Sequence, residues 1–268
     1  MTTRPRTRNT SHGKAYEYAC LLALKEALDD SQPIRVEGSQ QLRTACTRFL
    51  ELPTEHRERL MSSASAAATY IIRLEPQLEN PSDNTPLYLS LQSDARGQAG
   101  DVRDVLCLRK QNGWEIGISC KHNHYAVKHS RLSQSIDFGK QWFDRPCSPI
   151  YFAEIAPLFH ELAAMRAAGT LWSSVNNKAA RFYTPLLRAF LAELKRLDKC
   201  EPGYIPERLI HYLMGQNDFY KVIAEMRSRT TRILAFNING TLNRPAGSHR
   251  SLIQVPKLKC LSSFITSE

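Results

Sequence analysis

The sequence lacks the hydrophobic runs that would mark a membrane or secreted protein. No uninterrupted apolar stretch approaches the roughly 18 residues that a transmembrane helix needs. Residues 1–13 have no apolar core of the kind found in signal peptides, and they carry three arginines instead. Seven cysteines, an odd number without a CxxC pair, give no support to a zinc site or a disulfide framework. These absences predict a reduced, cytoplasmic protein with no membrane association.

Acidic residues are scarce relative to basic ones, and the imbalance is uneven. The 268 residues include 36 lysines and arginines against 26 acids, which gives a net charge of +10 and a pI near 9.4. Between residues 227 and 267 there is no acid at all. A basic surplus of this kind favours a polyanionic partner, most often nucleic acid. The apolar fraction of 42% is that of an ordinary globular protein, so wholesale disorder is excluded.

Hydrophobic periodicity predicts a protein with many helices and a small sheet, of α/β or α+β class. Helices are expected over residues 13–30, 38–51, 55–76, 153–167, 177–197 and 206–225. A strand is expected at 87–91, and two hairpins are expected around Asn112-Gly113 and Asn239-Gly240. The loop candidates are 80–85 and 97–100.

The first predicted hairpin brings oppositely charged residues together. If Asn112-Gly113 is a two-residue turn, Asp104 faces Lys121 and Ser119 lies on the same side of the pair. A carboxylate there could hold Mg²⁺, and the cation would stabilise charge on a phosphate and activate a water beside the lysine. This arrangement is typical of a metal-dependent nuclease. The alternative is a surface salt bridge contributing about 0–1 kcal/mol.

A polar and basic run follows Lys121 directly. Its hydrogen-bond donors are suited to phosphate and base contacts. A zinc site is less well supported, because the run offers no cysteine partner and no HExxH helix. The bland alternative is a polar surface loop that happens to be rich in histidine. The DNA-binding candidates from this run are His122, Asn123, His124, Lys128, His129 and Arg131.

The first predicted helix carries a carboxylate on its apolar stripe. Leu21, Leu24 and Leu28 recur at helical spacing, and Glu17 lies on the same stripe. An inward-facing carboxylate is costly unless it is paired or bound to a metal. Alternatively, Glu17 reaches solvent near the helix start, where it complements the helix dipole.

Several segments together resemble the HaeIII family of type II restriction endonucleases. They are residues 100–106 (GDVRDVL), 114–124 (WEIGISCKHNH), 128–133 (KHSRLS), 136–139 (IDFG) and 212–221 (YLMGQNDFYK). The resemblance implies the PD-(D/E)xK nuclease fold: a restriction-endonuclease-like α/β core with a small mixed sheet flanked by helices, and a basic C-terminal segment containing β-structure. It also implies Mg²⁺-dependent cleavage of double-stranded DNA at GGCC.

The same resemblance sets expectations for organisation and partners. We expect one restriction-endonuclease domain over 1–268, with a catalytic core at about 13–150 and a helical, basic DNA-recognition part at about 151–268. A palindromic target favours a homodimer on DNA, since two identical sites can each cut one strand. A restriction enzyme also needs a companion DNA methyltransferase. The competing interpretations are a sequence-specific DNA-binding protein without catalysis, and a repair or RNA nuclease of the same fold.

One position departs from the general nuclease motif, which has an acid two residues before the lysine. Here that residue is Ser119, a poor Mg²⁺ ligand compared with a carboxylate. Glu17 and Asp101 are the candidates to replace the missing acid, Asp101 only if the backbone bends near Gly100. The candidate catalytic residues are therefore Asp104, Lys121, Ser119, Glu17 and Asp101, and the candidate metal ligands are Asp104, Glu17, Asp101 and Cys120.

The acid-free C-terminal block supplies candidates for reading the G·C pairs of that target. Arginine meets the two major-groove acceptors of guanine well, and a two-stranded ribbon such as a hairpin at Asn239-Gly240 can enter the groove. The alternative is that these arginines contact only phosphates. The DNA-binding candidates of this block are Arg227, Arg229, Arg232, Arg244 and Arg250.

Overall fold

The computed structural model describes residues 7–79, 85–93, 100–126, 132–243 and 250–255, without the side chains of 7–10 and 250–255. The chain forms two compact units. The sheet unit comprises residues 1–127 and 215–268, and the helical unit comprises residues 128–214. These units differ from the division expected near residue 150, because strands at 219–225, 230–236 and 250–255 belong to the sheet. That the two units act as a single endonuclease domain stays a prediction.

Within the described residues, the sheet unit contains a mixed sheet of seven strands that lie in chain order. The pairs β1–β2 and β4–β5 are parallel, and the other four pairs are antiparallel. This confirms the expected α/β fold with a mixed sheet and helices. The strands are β1 Ile34–Val36, β2 Leu87–Leu91, β3 Val105–Arg109, β4 Trp114–His122, β5 Phe219–Glu225, β6 Thr230–Phe236 and β7 Arg250–Val255.

Helices α1 (Thr7–Leu28) and α3 (Thr54–Leu74) pack on one face of this sheet and form its core. Apolar side chains from α1 and α3 meet those of β3 to β6, and most are fully buried. A buried hydroxyl chain adds a polar link, because Tyr16 of α1, Ser63 of α3 and Thr231 of β6 are joined by bonds of 2.8 and 2.7 Å. The helices of this unit are α1 Thr7–Leu28, α2 Gln40–Leu50, α3 Thr54–Leu74 and α4 Pro76–Glu79.

The helical unit has an aromatic core of its own, built around Phe138, Trp142 and Tyr151. A π-helical turn at Ala179–Tyr183 precedes the helix that begins at Thr184, and Pro185 is accommodated in the first turn of that helix. Its helices are α5 Phe138–Phe143, α6 Pro149–Ala167, α7 Thr184–Cys200 and α8 Tyr204–Met214. Among the described helices, none combines the length and the apolar character that crossing a membrane requires.

The helix predicted over 206–225 is wrong in its second half. Helix α8 ends at Met214, and Gly215 follows with a φ of +82°, a backbone conformation that favours glycine. Residues 219–224 then form the buried part of β5, which pairs with β4 on one side and β6 on the other. A strand buried on both faces reads as a continuous apolar run, so the alternation that signals a strand is missing.

The hairpin predicted at Asn239-Gly240 is also wrong. Strand β6 ends at Phe236, and its partner β7 begins only at Arg250. Residues 238–241 instead fold around the buried carboxylate of Asp218, which accepts backbone N–H bonds from Ile238 (2.6 Å), Asn239 (2.9 Å) and Thr241 (2.8 Å). Asn239 therefore serves this loop, and no two-stranded ribbon is centred on it.

Candidate active site

The pairing of β3 with β4 sets the position of the candidate catalytic residues. Val105 pairs with Ile118 and Arg109 with Trp114, so a four-residue turn joins the strands. The expected pairing of Asp104 with Lys121 is therefore wrong by two residues, and Asp104 lies beside Ser119 instead. Because side chains alternate with a period of two, this shift keeps all three residues on one face.

The carboxylate of Asp104 is held by three donors. Its Oδ2 atom accepts hydrogen bonds from the backbone N–H of Cys120 at 2.7 Å, from Lys121 Nζ at 3.2 Å and from Ser119 Oγ at 3.3 Å. Within the described residues these bonds all go to Oδ2, so Oδ1 is left for a cation or water. Ser119 is fully buried and therefore acts through Asp104.

Lys121 lies in a mostly buried position next to this carboxylate. The exposed fractions of the Lys121 and Asp104 side chains are 19% and 22%. Burial by itself would lower the pKa of Lys121, but the charge and hydrogen bond of Asp104, with smaller contributions from Cys120 and Glu17, raise the pKa overall. The ammonium group therefore stays positively charged at neutral pH.

Glu17 of α1 faces the same cluster. Its carboxylate is nearly buried and pairs with Lys14 Nζ at 3.0 Å. Burial raises the pKa of Glu17 to about 8; the negative charge of Asp104 adds to the rise, and Lys14 and Lys121 oppose it. The inward orientation expected for Glu17 is thus observed, and the structure brings it into electrostatic contact with Asp104 and Lys121.

Asp104 and Glu17 fit a magnesium ion. Carboxylate oxygens are hard ligands, and Mg²⁺ in proteins is commonly bound through one or two carboxylates together with substrate phosphates. Two carboxylates whose charges oppose each other also favour a cation between them. Among the described residues no group of three or more histidine, cysteine or acidic side chains could hold a metal ion, so within them this pair of carboxylates is the candidate.

Asp101 does not join the cluster. Its two oxygens accept bonds from Arg103, Oδ1 from Nε at 2.9 Å and Oδ2 from Nη2 at 2.8 Å, and Arg103 also binds Glu115 at 2.8 Å. Burial alone would raise the pKa of Asp101, but the hydrogen bonds and charge of Arg103 lower it overall. The proposal of Asp101 as a metal ligand is corrected accordingly, because its carboxylate is committed to Arg103.

The side chain of Cys120 is equally unsuited to Mg²⁺. It lies in the hydrophobic core beside Cys20 of α1. Burial, with further contributions from Cys20, Asp104 and Glu17, raises the pKa of the Cys120 thiol far above its usual range. A protonated thiol is not a ligand for a hard cation. The contribution of Cys120 to the site is its backbone N–H.

Two blocks of DNA-binding candidates that are distant in sequence meet beyond Lys121. Strands β4 and β5 are parallel, so the residues after His122 lie against the end of β5 and the β5–β6 turn. The Asn123 backbone N–H donates to Ala224 O at 2.9 Å, and Asn123 Oδ1 accepts from the Met226 N–H at 2.9 Å. Asn123 is thus used to join the two blocks.

The arginines of the C-terminal block differ in their availability. Arg227 and Arg229 are exposed on the four-residue β5–β6 turn. Arg232 is paired with Glu225 at 2.8 Å, and its guanidinium lies 5.3 Å from the Tyr125 ring centre. Lys128, His129, Arg131 and Arg244 lie outside the described residues, as does the side chain of Arg250.

His122 belongs to a cluster of three histidines. Its ring stacks on that of His12 with centroids 5.2 Å apart, and His56 of α3 lies 6.0 Å from His12. Burial, together with the neighbouring His12 and His56, lowers the pKa of His122 to about 4. A neutral imidazole cannot neutralise a phosphate, so a DNA contact by His122 would be a hydrogen bond. That contact, like the one assigned to His124, stays a prediction.

Comparison with known proteins agrees with these features. The family model of the HaeIII restriction endonuclease matches residues 13–267. The chain belongs to the HaeIII restriction endonuclease family. The type II restriction enzyme HaeIII of Haemophilus aegyptius is 36% identical over 249 residues, which cover 93% of this chain and 78% of that enzyme. No solved structure matched the chain.

Two residues of β5 in this HaeIII-family protein were missed by sequence reasoning. Lys221 was assigned to a helix, whereas it is a buried residue of β5 aligned with Ser119. Glu225, the last residue of β5, was assigned to the same predicted helix. A lysine inside the apolar run Phe-Tyr-Lys-Val-Ile-Ala was the available signal, since a buried charge needs a specific partner.

Proposed function

We propose that this protein is a type II restriction endonuclease that hydrolyses double-stranded DNA at GGCC and depends on Mg²⁺. The observation that carries the proposal is the cluster of Asp104, Glu17 and Lys121 in a chain of the HaeIII family. GGCC is the target that the resemblance to the HaeIII family implies, and the relative at 36% identity is itself a type II restriction enzyme.

The two carboxylates would hold the metal. Asp104 Oδ1, from the residue before β3, and the Glu17 carboxylate, from α1, would supply oxygen ligands, and bound substrate would add phosphate oxygens. When bound, Mg²⁺ supplies charge stabilisation to the scissile phosphate and lowers the pKa of a bound water. The donors on Asp104 Oδ2 fix the carboxylate plane, so its second oxygen has a defined direction.

Lys121 contributes a positive charge to the same place. Its ammonium group is oriented by Asp104 and remains protonated, so it can bind a non-bridging phosphate oxygen and stabilise the charge that develops during hydrolysis. Ser119 takes no acidic role here. Its hydroxyl donates to Asp104, and Glu17 provides the second carboxylate that the strand lacks.

DNA binding is assigned to the surface around the ends of β4 and β5. Arg227 and Arg229 are exposed there and can bind phosphates of the duplex. We further propose a homodimer on the palindromic target, a companion DNA methyltransferase that protects the same sequence, and a cytoplasmic location, where incoming DNA is met. We propose that the residues that read the bases are among these arginines and residues 122–131.

Plasmid cleavage tests the function directly. A plasmid carrying GGCC should be cut to discrete fragments with Mg²⁺ and left intact with EDTA, and a plasmid without GGCC should survive both. Binding to GGCC without any cleavage would support the DNA-binding alternative. Cleavage of RNA, or degradation of both plasmids, would support the repair or RNA nuclease instead.

The dimer is tested by stoichiometry. A Lys121→Ala chain mixed with a short GGCC duplex should give a complex of two chains per duplex in sedimentation or mass measurements. A tight complex of one chain per duplex would contradict the homodimer while leaving the cleavage proposal in place.

A further inference from the structure

Tyr125 is an exposed aromatic residue four positions after Lys121. The exposed fraction of the residue is 57%, which is high for a large ring. No role has been assigned to it so far. Tyr125 lies at the same end of the sheet as Lys121, so the groups around its ring indicate what could bind beside the candidate active site.

The segment that carries Tyr125 is fixed to β5 and its turn. Buried Lys221 donates a hydrogen bond to the carbonyl oxygen of Tyr125, and the phenol donates to Glu225 Oε1 at 2.7 Å. The two bonds of Asn123, described above, hold the preceding backbone. Because the backbone and the hydroxyl of Tyr125 are both held, its exposed ring would lose little conformational entropy on binding a partner.

The burial of Lys221 shows that the fold fixes the position of the segment that carries Tyr125. It is only 3% exposed, and a buried ammonium group is costly unless it is hydrogen-bonded. The ammonium group of Lys221 is buried nevertheless, and it donates a hydrogen bond to the carbonyl oxygen of Tyr125. Lys221 therefore acts as a positioning residue for the segment that presents the ring.

The charge around Tyr125 points to the class of its partner. The guanidinium of Arg232 lies 5.3 Å from the ring centre, and Glu225, which binds both side chains, leads into the turn with Arg227 and Arg229. An aromatic ring next to arginines is the combination that nucleic-acid-binding proteins use for contacts to sugars and bases.

We propose that Tyr125 is a further DNA-contact residue, whose ring packs against a deoxyribose or a base edge in a groove of the bound duplex. The proposal rests on the proposed function, because the duplex is the substrate of that reaction. The contact would add apolar area near the cleaved phosphate, whereas the arginines of the turn supply charge. Glu225 and Lys221 act on DNA only through the position that they give to the ring.

Steady-state cleavage of a short GGCC duplex tests the ring against the hydroxyl. Tyr125→Ala should raise KM about 5- to 30-fold, equivalent to about 1–2 kcal/mol, and change kcat less than about threefold. Tyr125→Phe keeps the ring and should stay within about threefold of the wild type in both constants. Ile238→Ala is the matched control, because Ile238 is an exposed apolar residue beyond the opposite end of β6.

The outcomes separate clearly. A normal KM for Tyr125→Ala would overturn the proposal and leave the ring as a support for Glu225 and Arg232. Equal losses for Tyr125→Phe and Tyr125→Ala would also overturn it, since the hydroxyl bond to Glu225 would then be the relevant feature. A KM increase for Ile238→Ala of the same size would mean that the losses are unspecific, and this too would overturn it.

A measurement on the wild-type chain covers the case in which Tyr125→Ala folds poorly. A duplex with 5-iododeoxyuridine in place of thymidine beside GGCC, bound in EDTA and irradiated, should crosslink to Tyr125, as identified by mass spectrometry. Crosslinks confined to other residues would overturn the proposal. If the wild type binds the duplex but never cuts it with Mg²⁺, the proposed function fails, and the crosslink still decides the contact.

Discussion

The negative charge of Asp104 acts on the carboxylate of Glu17 in the candidate active site, although 86 residues lie between the two in the chain. Glu17 comes from the first helix and Asp104 from the residue before β3. After burial, the charge of Asp104 is the largest cause that raises the pKa of Glu17, to about 8. A cation bound by both would remove this repulsion, so the relationship predicts how metal and protein stability are coupled.

Glu17→Gln should weaken the response to Mg²⁺. The amide keeps the size of the side chain but removes a charged ligand, so the melting temperature should rise less with Mg²⁺ than in the wild type, and cleavage should need more Mg²⁺. Thermal unfolding and cleavage across a Mg²⁺ titration measure both effects. Glu26→Gln, an exposed acid of the same helix, is the control. Identical titrations for Glu17→Gln and wild type would mean that Glu17 does not bind the metal and is only an acidic residue of α1.

Stability should depend on His122 at acidic pH. The pKa of His122 is lowered from 6.5 to about 4 by burial and by His12 and His56, so the unfolded chain binds a proton more readily than the folded one. The corresponding stability is present above pH 6.5 and is lost as the pH falls towards 4. His122→Gln should show a smaller fall in melting temperature over this range.

The control for His122 is His160→Gln, which changes an exposed histidine of α6. It should reproduce the wild-type pH dependence. The account of the histidine cluster would be wrong if His122→Gln lost stability between pH 6.5 and 4 as steeply as the wild type does.

Arg227→Ala and Arg229→Ala should identify phosphate contacts. Loss of one phosphate contact weakens binding to all DNA sequences and reduces the slope of log K against log salt by about one unit. Loss of a guanine contact instead costs about 1–3 kcal/mol on GGCC and little on unrelated DNA. Binding to both duplexes over a salt series distinguishes the two. Arg73→Ala, an exposed arginine of α3, should change neither quantity.

Gly117→Ala should destabilise the sheet unit. A Cβ atom at Gly117 would lie 2.0 Å from Cδ of Arg103, and Arg103 cannot move freely because it is buried and bound to Asp101 and Glu115. We expect a loss of about 1–3 kcal/mol, measured by denaturant unfolding. Gly13→Ala in α1 meets no atom within 4 Å and should be neutral or stabilising. Equal stability of the two variants would contradict this packing.

Local sequence patterns predicted the two strands of the candidate active site, because the information that specifies a hairpin is local. The apolar runs around Gln111-Asn112-Gly113 indicated β3 and β4, and the period of two placed Asp104 and Lys121 on one face even though the register was wrong. The register itself depends on turn geometry, and here a four-residue turn replaces the expected two-residue turn. Glu17 was found because a carboxylate on an apolar stripe requires a partner.

The central strand β5 could not be predicted in this way. Its residues from Phe219 to Ala224 are buried on both faces, so the sequence shows no alternation, and the preceding helix pattern was extended through Gly215. The errors at Lys221 and Glu225 follow from this one. Contacts of Asn123 and Tyr125 with β5 depend on the parallel pairing of two strands about 100 residues apart, which no local pattern encodes.

Single-turnover cleavage of a GGCC duplex with Mg²⁺ tests the central claim, that Asp104 and Lys121 form the catalytic centre. Lys121→Ala and Asp104→Asn should lower the rate about 100-fold or more while the duplex is still bound, because both remove charge from the reacting phosphate or its metal. Lys110→Ala, which changes an exposed lysine paired with Glu37 at the other end of the hairpin, should cleave like the wild type. Cleavage by Lys121→Ala or Asp104→Asn within a few-fold of the wild-type rate would contradict the account.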